Sequence, residues 1–258
     1  QRLDYRKWLA LIWLSWVTHS GLDAMTVYGT QLFWPFMPPP VSIGSIFIID
    51  PLYSVPLAAG FLAILVASRK RFSHHLMIGG LLFSSAYLVW GLTVQWWVTQ
   101  QTRQALAEQQ IDYQHIKITP APLNSLLWRI VVIDETTYYE AFRSVFDGDV
   151  AFAFNRYPRG MELQQRLPDQ AVIERIAWFT RDNYKLEQLN NVIVASDLRM
   201  GLEPNYFFRF QLAQIQGNEV ISVPPTQLST PRNARHGLQW VWQRIWNADA
   251  KHLISTAD

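Results

Sequence analysis

The sequence contains no cysteine. That excludes disulfide staples, thiolate zinc sites and cysteine nucleophiles. Charged residues make up only 16% of the 258 positions, against roughly 25% in soluble domains. The net charge of +2 gives no electrostatic footprint for a nucleic-acid partner. There is no glycine-rich phosphate loop and no G-x-S-x-G nucleophile elbow, and no internal repeat or low-complexity stretch. Hydrophobic residues fill half of the chain, with 12 Trp, 14 Phe and 10 Tyr, a composition that excludes disorder. Charges are scarce up to about residue 102 and ordinary after it. The pattern predicts a membrane domain over 1–101 and a water-facing domain over 102–258.

Three stretches approach the ~20 apolar residues that a helix needs to cross a bilayer. They run over about 8–27, 51–68 and 76–101. Trp8, Trp90, Trp96 and Trp97 lie at their ends, as expected of interfacial aromatics. Arg2, Arg6 and Lys7 precede the first stretch, and Arg69, Lys70 and Arg71 separate the second from the third. The positive-inside rule puts both basic clusters in the cytoplasm. The loop from Tyr28 to Asp50 and everything beyond Gln101 then lie outside, which in a Gram-negative cell is the periplasm. The first residue is Gln rather than Met, and no signal-peptide pattern follows; the chain reads as the remainder of a longer protein.

This topology gathers polar groups at one depth. His19 and Asp23 are four apart and share a helix face. Asp50 opens the second stretch, also at its outer end. One imidazole and two carboxylates suit zinc, manganese or ferrous iron, and a metal there would turn bound water into hydroxide near neutral pH. Two plainer readings stand beside this one. Asp50-Pro51 is a helix start, with Asp as N-cap and Pro in the first turn. His19 and Asp23 can pair with each other alone.

Beyond the third stretch, Thr102 to Gln110 reads as a polar helical continuation. Strand-like runs follow over Tyr113–Ile118, Leu126–Ile133 and Tyr138–Phe146, with a hairpin turn at Asp134–Thr137. Asp169 to Thr180 reads as a helix capped by Asp169, and two hairpins turn near Asn190 and near Gly217. The expected fold is three transmembrane helices followed by an α+β extracytoplasmic domain with a mainly antiparallel sheet. His115 reads as structural and Asp147-Gly148-Asp149 as a polar turn. Leu238, Val241, Trp242 and Ile245 repeat at helical spacing, fitting either a helix on the outer leaflet or ordinary core.

The strings Thr18-His19-Ser20-Gly21-Leu22-Asp23, Tyr28-Gly29-Thr30-Gln31-Leu32, Pro35-Phe36 and Ser45 to Tyr53, with Ile49-Asp50-Pro51 inside the last, resemble the YdjM/YbcI-type membrane-bound metal-dependent hydrolases. Thr119 to Asn124 with Leu126 to Arg129 is similar to the segment opening that family's C-terminal domain, so the resemblance runs from about Trp8 to Leu198. It implies a multi-pass protein of the bacterial inner membrane that hydrolyses a substrate with a divalent metal. By position it implies His19, Asp23 and Asp50 as metal ligands, with Tyr28, Thr30 and Gln31 orienting ligands or substrate. Ser20 departs from the Pro that follows the His in the family. A further family block, with His-Arg-Gly and Thr-His-Ser motifs, has no counterpart here.

The expected function is an integral inner-membrane metal-dependent hydrolase with zinc or manganese at the outer membrane face. Its depth points to a lipid-derived or phosphoester substrate, and no catalytic residue is assigned. Membrane lipid and a small-molecule or lipid substrate are the expected partners, with no nucleic acid. The alternative is a non-enzymatic membrane-anchored protein that binds an envelope component and carries an incomplete metal site.

Overall fold

The computed structural model describes residues 4–36, 38–217, 219–229 and 234–250. The chain forms two compact units, Gln1–Leu92 and Thr93–Asp258.

The first unit is helical. Helix α1 spans Tyr5–Met25, α2 spans Pro51–Ala67, and α3 begins at Arg71 and runs to Glu108, beyond the unit's end. All three expected apolar stretches are therefore helices, but only α3, with 38 residues, is long and apolar enough to cross a bilayer among the described residues. The expectation of three such helices is corrected on that criterion. Helix α2 has 17 residues and covers about 26 Å, short of the ~30 Å hydrocarbon core. Helix α1 has 21 residues, yet its last third carries Thr18, His19, Ser20 and Asp23.

Helices α2 and α3 approach each other through small residues. A Cβ added at Gly60 would sit 2.7 Å from Met77 Cα, and one at Gly80 would sit 2.4 Å from the Pro56 carbonyl oxygen. Ser84 Oγ donates to the Tyr53 carbonyl at 2.7 Å. Ser73, Gly80, Ser84, Tyr87 and Gly91 are the buried positions of α3 in this unit. They fall at spacings of 7, 4, 3 and 4, a narrow stripe of nearly 3.5-residue period. Small and hydroxyl-bearing side chains let helix backbones meet where lipid offers no hydrophobic drive.

The second unit takes up the end of α3 and is mainly β. Strands β1 (His115–Pro120), β2 (Leu127–Ile133), β3 (Thr137–Ser144) and β4 (Asn155–Pro158) form one antiparallel sheet in that order. After a 3-10 turn over Met161–Arg166 comes α4, Gln170–Thr180, whose cap is Asp169 accepting from the Ala171 amide. Strands β5 (Tyr184–Leu189), β6 (Val192–Asp197), β9 (Arg209–Gln216) and β10 (Glu219–Gln227) form a second antiparallel sheet, ordered β10-β9-β6-β5. A short hairpin, β7 (Gly201–Leu202) with β8 (Asn205–Tyr206), interrupts it, and α5 closes the unit over Ala234–Trp246. The domain is thus built on two antiparallel sheets.

Strand β2 is buried on both faces. Trp128, Ile130 and Val132 pack with Val94, Val98 and Leu106 of α3. On the opposite face, Leu127 meets Trp240, Val241 and Ile245 of α5, and Val131 and Ile133 meet Tyr138, Leu198 and Tyr206. Helix α4 covers the second sheet through Ile173 and Ile176, which join Leu186, Ile193 and Leu212.

Charge also enters this core. Arg129 Nε donates to the fully buried Glu140 at 2.6 Å and Nη1 donates to the Leu198 carbonyl at 2.5 Å. Tyr138 donates to Glu203, and Lys185 Nζ lies 2.8 Å from the same carboxylate. Glu187 is shared by Lys185 at 3.2 Å and Arg209 at 3.1 Å. Three cations therefore face three carboxylates. Removing one member strands its partner, a loss of about 3–5 kcal/mol, whereas an apolar pair of similar volume is close to neutral. Glu140→Ala should lower the thermal midpoint of the detergent-purified chain, followed by circular dichroism, and Arg129→Met/Glu140→Leu should recover most of it. A double variant as unstable as the single one would contradict this balance.

Candidate functional site

His19 and Asp23 lie on the last turns of α1. The helix ends at Met25, and its final carbonyls are taken by a returning strand of loop. Ile43 N–H donates to Ala24 O at 2.8 Å, while Ser45 and Ile46 donate to Met25 O at 2.8 and 3.3 Å. These bonds satisfy carbonyls that a helix end leaves open. The i,i+4 spacing brings His19 Nε2 to 3.4 Å from Asp23 Oδ2, with the side chains 77% and 44% exposed. Both donors remain open to solvent or to an ion.

Asp50 has a different environment. It is buried, and both its oxygens are engaged. Oδ1 accepts from the Leu52 amide at 3.0 Å, the N-cap bond of α2, with Pro51 in the first turn. Oδ2 accepts from the Tyr87 hydroxyl of α3 at 2.8 Å. Asp50 thus joins the start of α2 to α3. Among the described residues no three His, Asp or Glu side chains gather as a metal-holding group, so the structure brings His19 and Asp23 together without Asp50.

Tyr28, Thr30 and Gln31 stand in the loop between α1 and α2. Thr30 and Val41 form an isolated antiparallel bridge, with N–H···O distances of 3.1 and 2.9 Å. Gly29 precedes it at φ +68°, and a Cβ there would lie 1.9 Å from the Val41 carbonyl oxygen. Glycine is required by both conformation and space. Thr30 therefore shapes the loop through its backbone, and Gln31 O accepts from Trp34 N–H at 3.4 Å. The Tyr28 hydroxyl is buried. Tyr87 and Ser84 went unnoticed in the sequence reading, although their place in the small-residue stripe of α3 marks them as helix-facing.

In the second unit, the groups singled out from sequence have local partners. His115 Nε2 is 3.2 Å from Asn183 Oδ1, and burial lowers its pKa against that hydrogen bond. Asp147 receives Arg244 on both oxygens at 2.8 Å and caps the Ser144 amide, so the Asp147–Asp149 turn is tied to α5. Lys117 on β1 has its pKa pushed down to about 8, first by burial and then by Arg181 and Arg199, with Asp197 opposing.

A family model described as "YdjM inner membrane protein" matches residues 1–98. That match supports an inner-membrane protein and covers α1, α2 and most of α3; it says nothing of a hydrolase, and the expected likeness over Thr119 to Arg129 lies outside it. No curated protein and no solved structure matches the chain.

Lys117 makes the stability of the β-rich unit depend on pH. Its folded pKa of about 8 lies below the ordinary 10.5, so the unfolded chain binds more protons between those values. Stability contributed by this group therefore rises as pH goes from about 8 to 10.5. Lys117→Met should stabilise the domain at neutral pH by on the order of 3 kcal/mol and flatten the rise. Melting curves of both proteins at pH 7, 8, 9 and 10 check this; parallel curves would contradict it.

Proposed function

We propose that the chain is a multi-pass inner-membrane protein in which α1, α2 and α3 anchor the β-rich domain on the outer face, and that His19 and Asp23 provide two ligands of a divalent-metal hydrolase centre. The observation that supports this reading is the geometry of the pair. Donor atoms 3.4 Å apart, each about 2.1 Å from an ion, subtend about 108°, close to the tetrahedral arrangement preferred by zinc. Exposure leaves the ion side open to water and substrate. A divalent ion held there would supply hydroxide near neutral pH and polarise an ester or phosphoester oxygen.

Two ligands are fewer than the three that catalytic zinc sites take from protein. Asp50, whose oxygens already accept from the Leu52 amide and the Tyr87 hydroxyl, is left out of the ligand set in this proposal. Its role is to fix the start of α2. Thr30 and Gly29 hold the loop beside the end of α1, which keeps the approach to the pair open. A lipid-derived or phosphoester substrate follows from the depth of the pair near the membrane surface.

Metal content measured on the purified chain after equilibration with zinc or manganese tests the ligand assignment. His19→Ala and Asp23→Ala should each weaken binding at least about tenfold, as the loss of one of few ligands does. Asp50→Asn should keep metal affinity and lower the thermal midpoint. Equal metal content in all four proteins would remove the assignment. It would favour the second reading, a membrane-anchored binding protein.

A further inference from the structure

Strands β1 and β2 put a row of polar side chains on one face of the first sheet. His115, Lys117 and Thr119 stand across from Ile133, Val131 and Arg129 in turn, and directly opposed residues of an antiparallel pair share a face. Val131 packs with Leu198, which lies between Asp197 and Arg199 where β6 ends. Two hydrogen bonds bring a third element to the same place. His115 Nε2 is 3.2 Å from Asn183 Oδ1, and the Leu198 amide donates to the Asn183 carbonyl at 2.9 Å. The turn after α4, Arg181 to Asn183, is therefore tied both to β1 and to the turn after β6.

Three cations meet there: Lys117 from β1, Arg181 from the end of α4 and Arg199 from the turn after β6. Arg181 holds the left-handed region at φ 54°, and Asp182 follows at φ 60°. Helices commonly end on glycine in that conformation, so a long cationic side chain is kept there against a local conformational cost. Arg199 rests on the Phe179 ring at 5.0 Å and grips Asp197 on both oxygens, Nε at 3.0 Å and Nη2 at 2.7 Å. Burial, then the charges of Arg181 and Arg199, push the Lys117 pKa down, and each like charge acts on it more strongly than Asp197 does. Burial and Arg199 also lower the pKa of Arg181. Asp182, the carboxylate beside it in sequence, acts on Arg159 and His115.

A further donor lies on the same sheet face. Arg129 donates through Nε to Glu140 and through Nη1 to the Leu198 carbonyl. Its Nη2 is buried without a protein acceptor among the described residues, and its charge reaches Asp197. A buried guanidinium N–H without an acceptor is costly, and an oxyanion or a water bound to one would satisfy it.

We propose that Lys117, Arg181 and Arg199 form a binding site for a phosphate monoester within the second unit. The proposal does not rest on the reading of His19 and Asp23. Three cations and one carboxylate leave a surplus of two positive charges, which matches the nearly two negative charges of a phosphate monoester above pH 7. Arg and Lys donors arriving from three elements suit its three peripheral oxygens. A carboxylate ligand carries one charge and would leave half of the surplus uncompensated. A soluble phosphate ester and a phosphate headgroup of a lipid present the same chemistry to this cluster.

Isothermal titration calorimetry of the full detergent-purified chain near neutral pH, at constant ionic strength, tests the site. A chelator is present, so that no metal at His19 and Asp23 takes part. The probes are inorganic phosphate, glycerol 3-phosphate and phosphatidic acid in the detergent micelle. Saturable binding of at least one probe is expected. Arg181→Asn removes the charge while asparagine tolerates the left-handed backbone, and Lys117→Met relieves a buried cation. Both should weaken binding about tenfold or more, the effect of one lost charge-assisted hydrogen bond. Arg175→Gln, at an exposed position of α4, should bind as the parent does. Binding of phosphatidic acid alone, with this variant pattern, would support the site and assign a lipid headgroup; binding of either soluble probe would support it and assign a soluble ester. Absence of saturable binding by all three probes would overturn the proposal. So would unchanged affinity in Lys117→Met and Arg181→Asn, or equal weakening in Arg175→Gln, which would reveal only diffuse charge attraction.

Discussion

The structure depends on one helix that both compact units share. Helix α3 has a single buried stripe that changes character along its length. Through Ser73, Gly80, Ser84, Tyr87 and Gly91 it is small or hydroxyl-bearing, and from Val94 through Val98 and Ala105 to Leu106 it is mainly aliphatic, with the buried Thr102 bonded back to the Val98 carbonyl at 2.8 Å. The first stretch suits contact between backbones in lipid, where close packing and hydrogen bonds replace the hydrophobic drive. The second suits an aqueous domain, where burying Val and Leu is itself the driving force. The change falls at the division between the two compact units, Leu92 and Thr93. Trp90 and Trp96, both exposed, flank it as interfacial aromatics do.

Much of the helical part was legible because its signals are local. Asp50-Pro51 marked the start of α2 within one residue, and Asp169 marked that of α4. The three apolar stretches gave three helices, and the polar continuation after Gln101 was also read as helical; only the start of α3 was misjudged. The basic Arg71, His74 and His75 are already helical, and the polar run after Gln101 continues the same helix to Glu108. A hydropathy boundary is a boundary of solvent, and a helix need not stop there. The outer domain was legible strand by strand where β-branched and aromatic residues cluster, as in β2 and β3. Its arrangement as two sheets was not, because β6 pairs with β9 across the β7–β8 hairpin and no local pattern encodes that pairing. The four-residue edge strand β4 also lacked a visible alternation.

The candidate site shows the same division. His19 and Asp23 follow from a helical spacing that can be counted. The Asp50–Tyr87 bond joins residues 37 positions apart and exists only because α2 and α3 pack side by side. Asp50 carried two compatible sequence readings, ligand and cap, and the cap is present through the Leu52 amide at 3.0 Å. The resemblance that suggested three ligands therefore meets a structure in which His19 and Asp23 form a pair at 3.4 Å and Asp50 accepts from the Leu52 amide and the Tyr87 hydroxyl.

The central claim is that α3 is a membrane helix whose stripe packs within the first unit and whose end belongs to the outer domain. Hydrogen–deuterium exchange of the full chain in lipid nanodiscs tests this most directly. The account predicts amides from about Leu76 to Leu92 that do not exchange over hours and are unaffected by mild denaturant. It predicts amides from Arg103 to Glu108 that exchange together with β2 as the outer domain unfolds. Uniform exchange along the whole of α3, responding to denaturant together with the outer sheets, would contradict it.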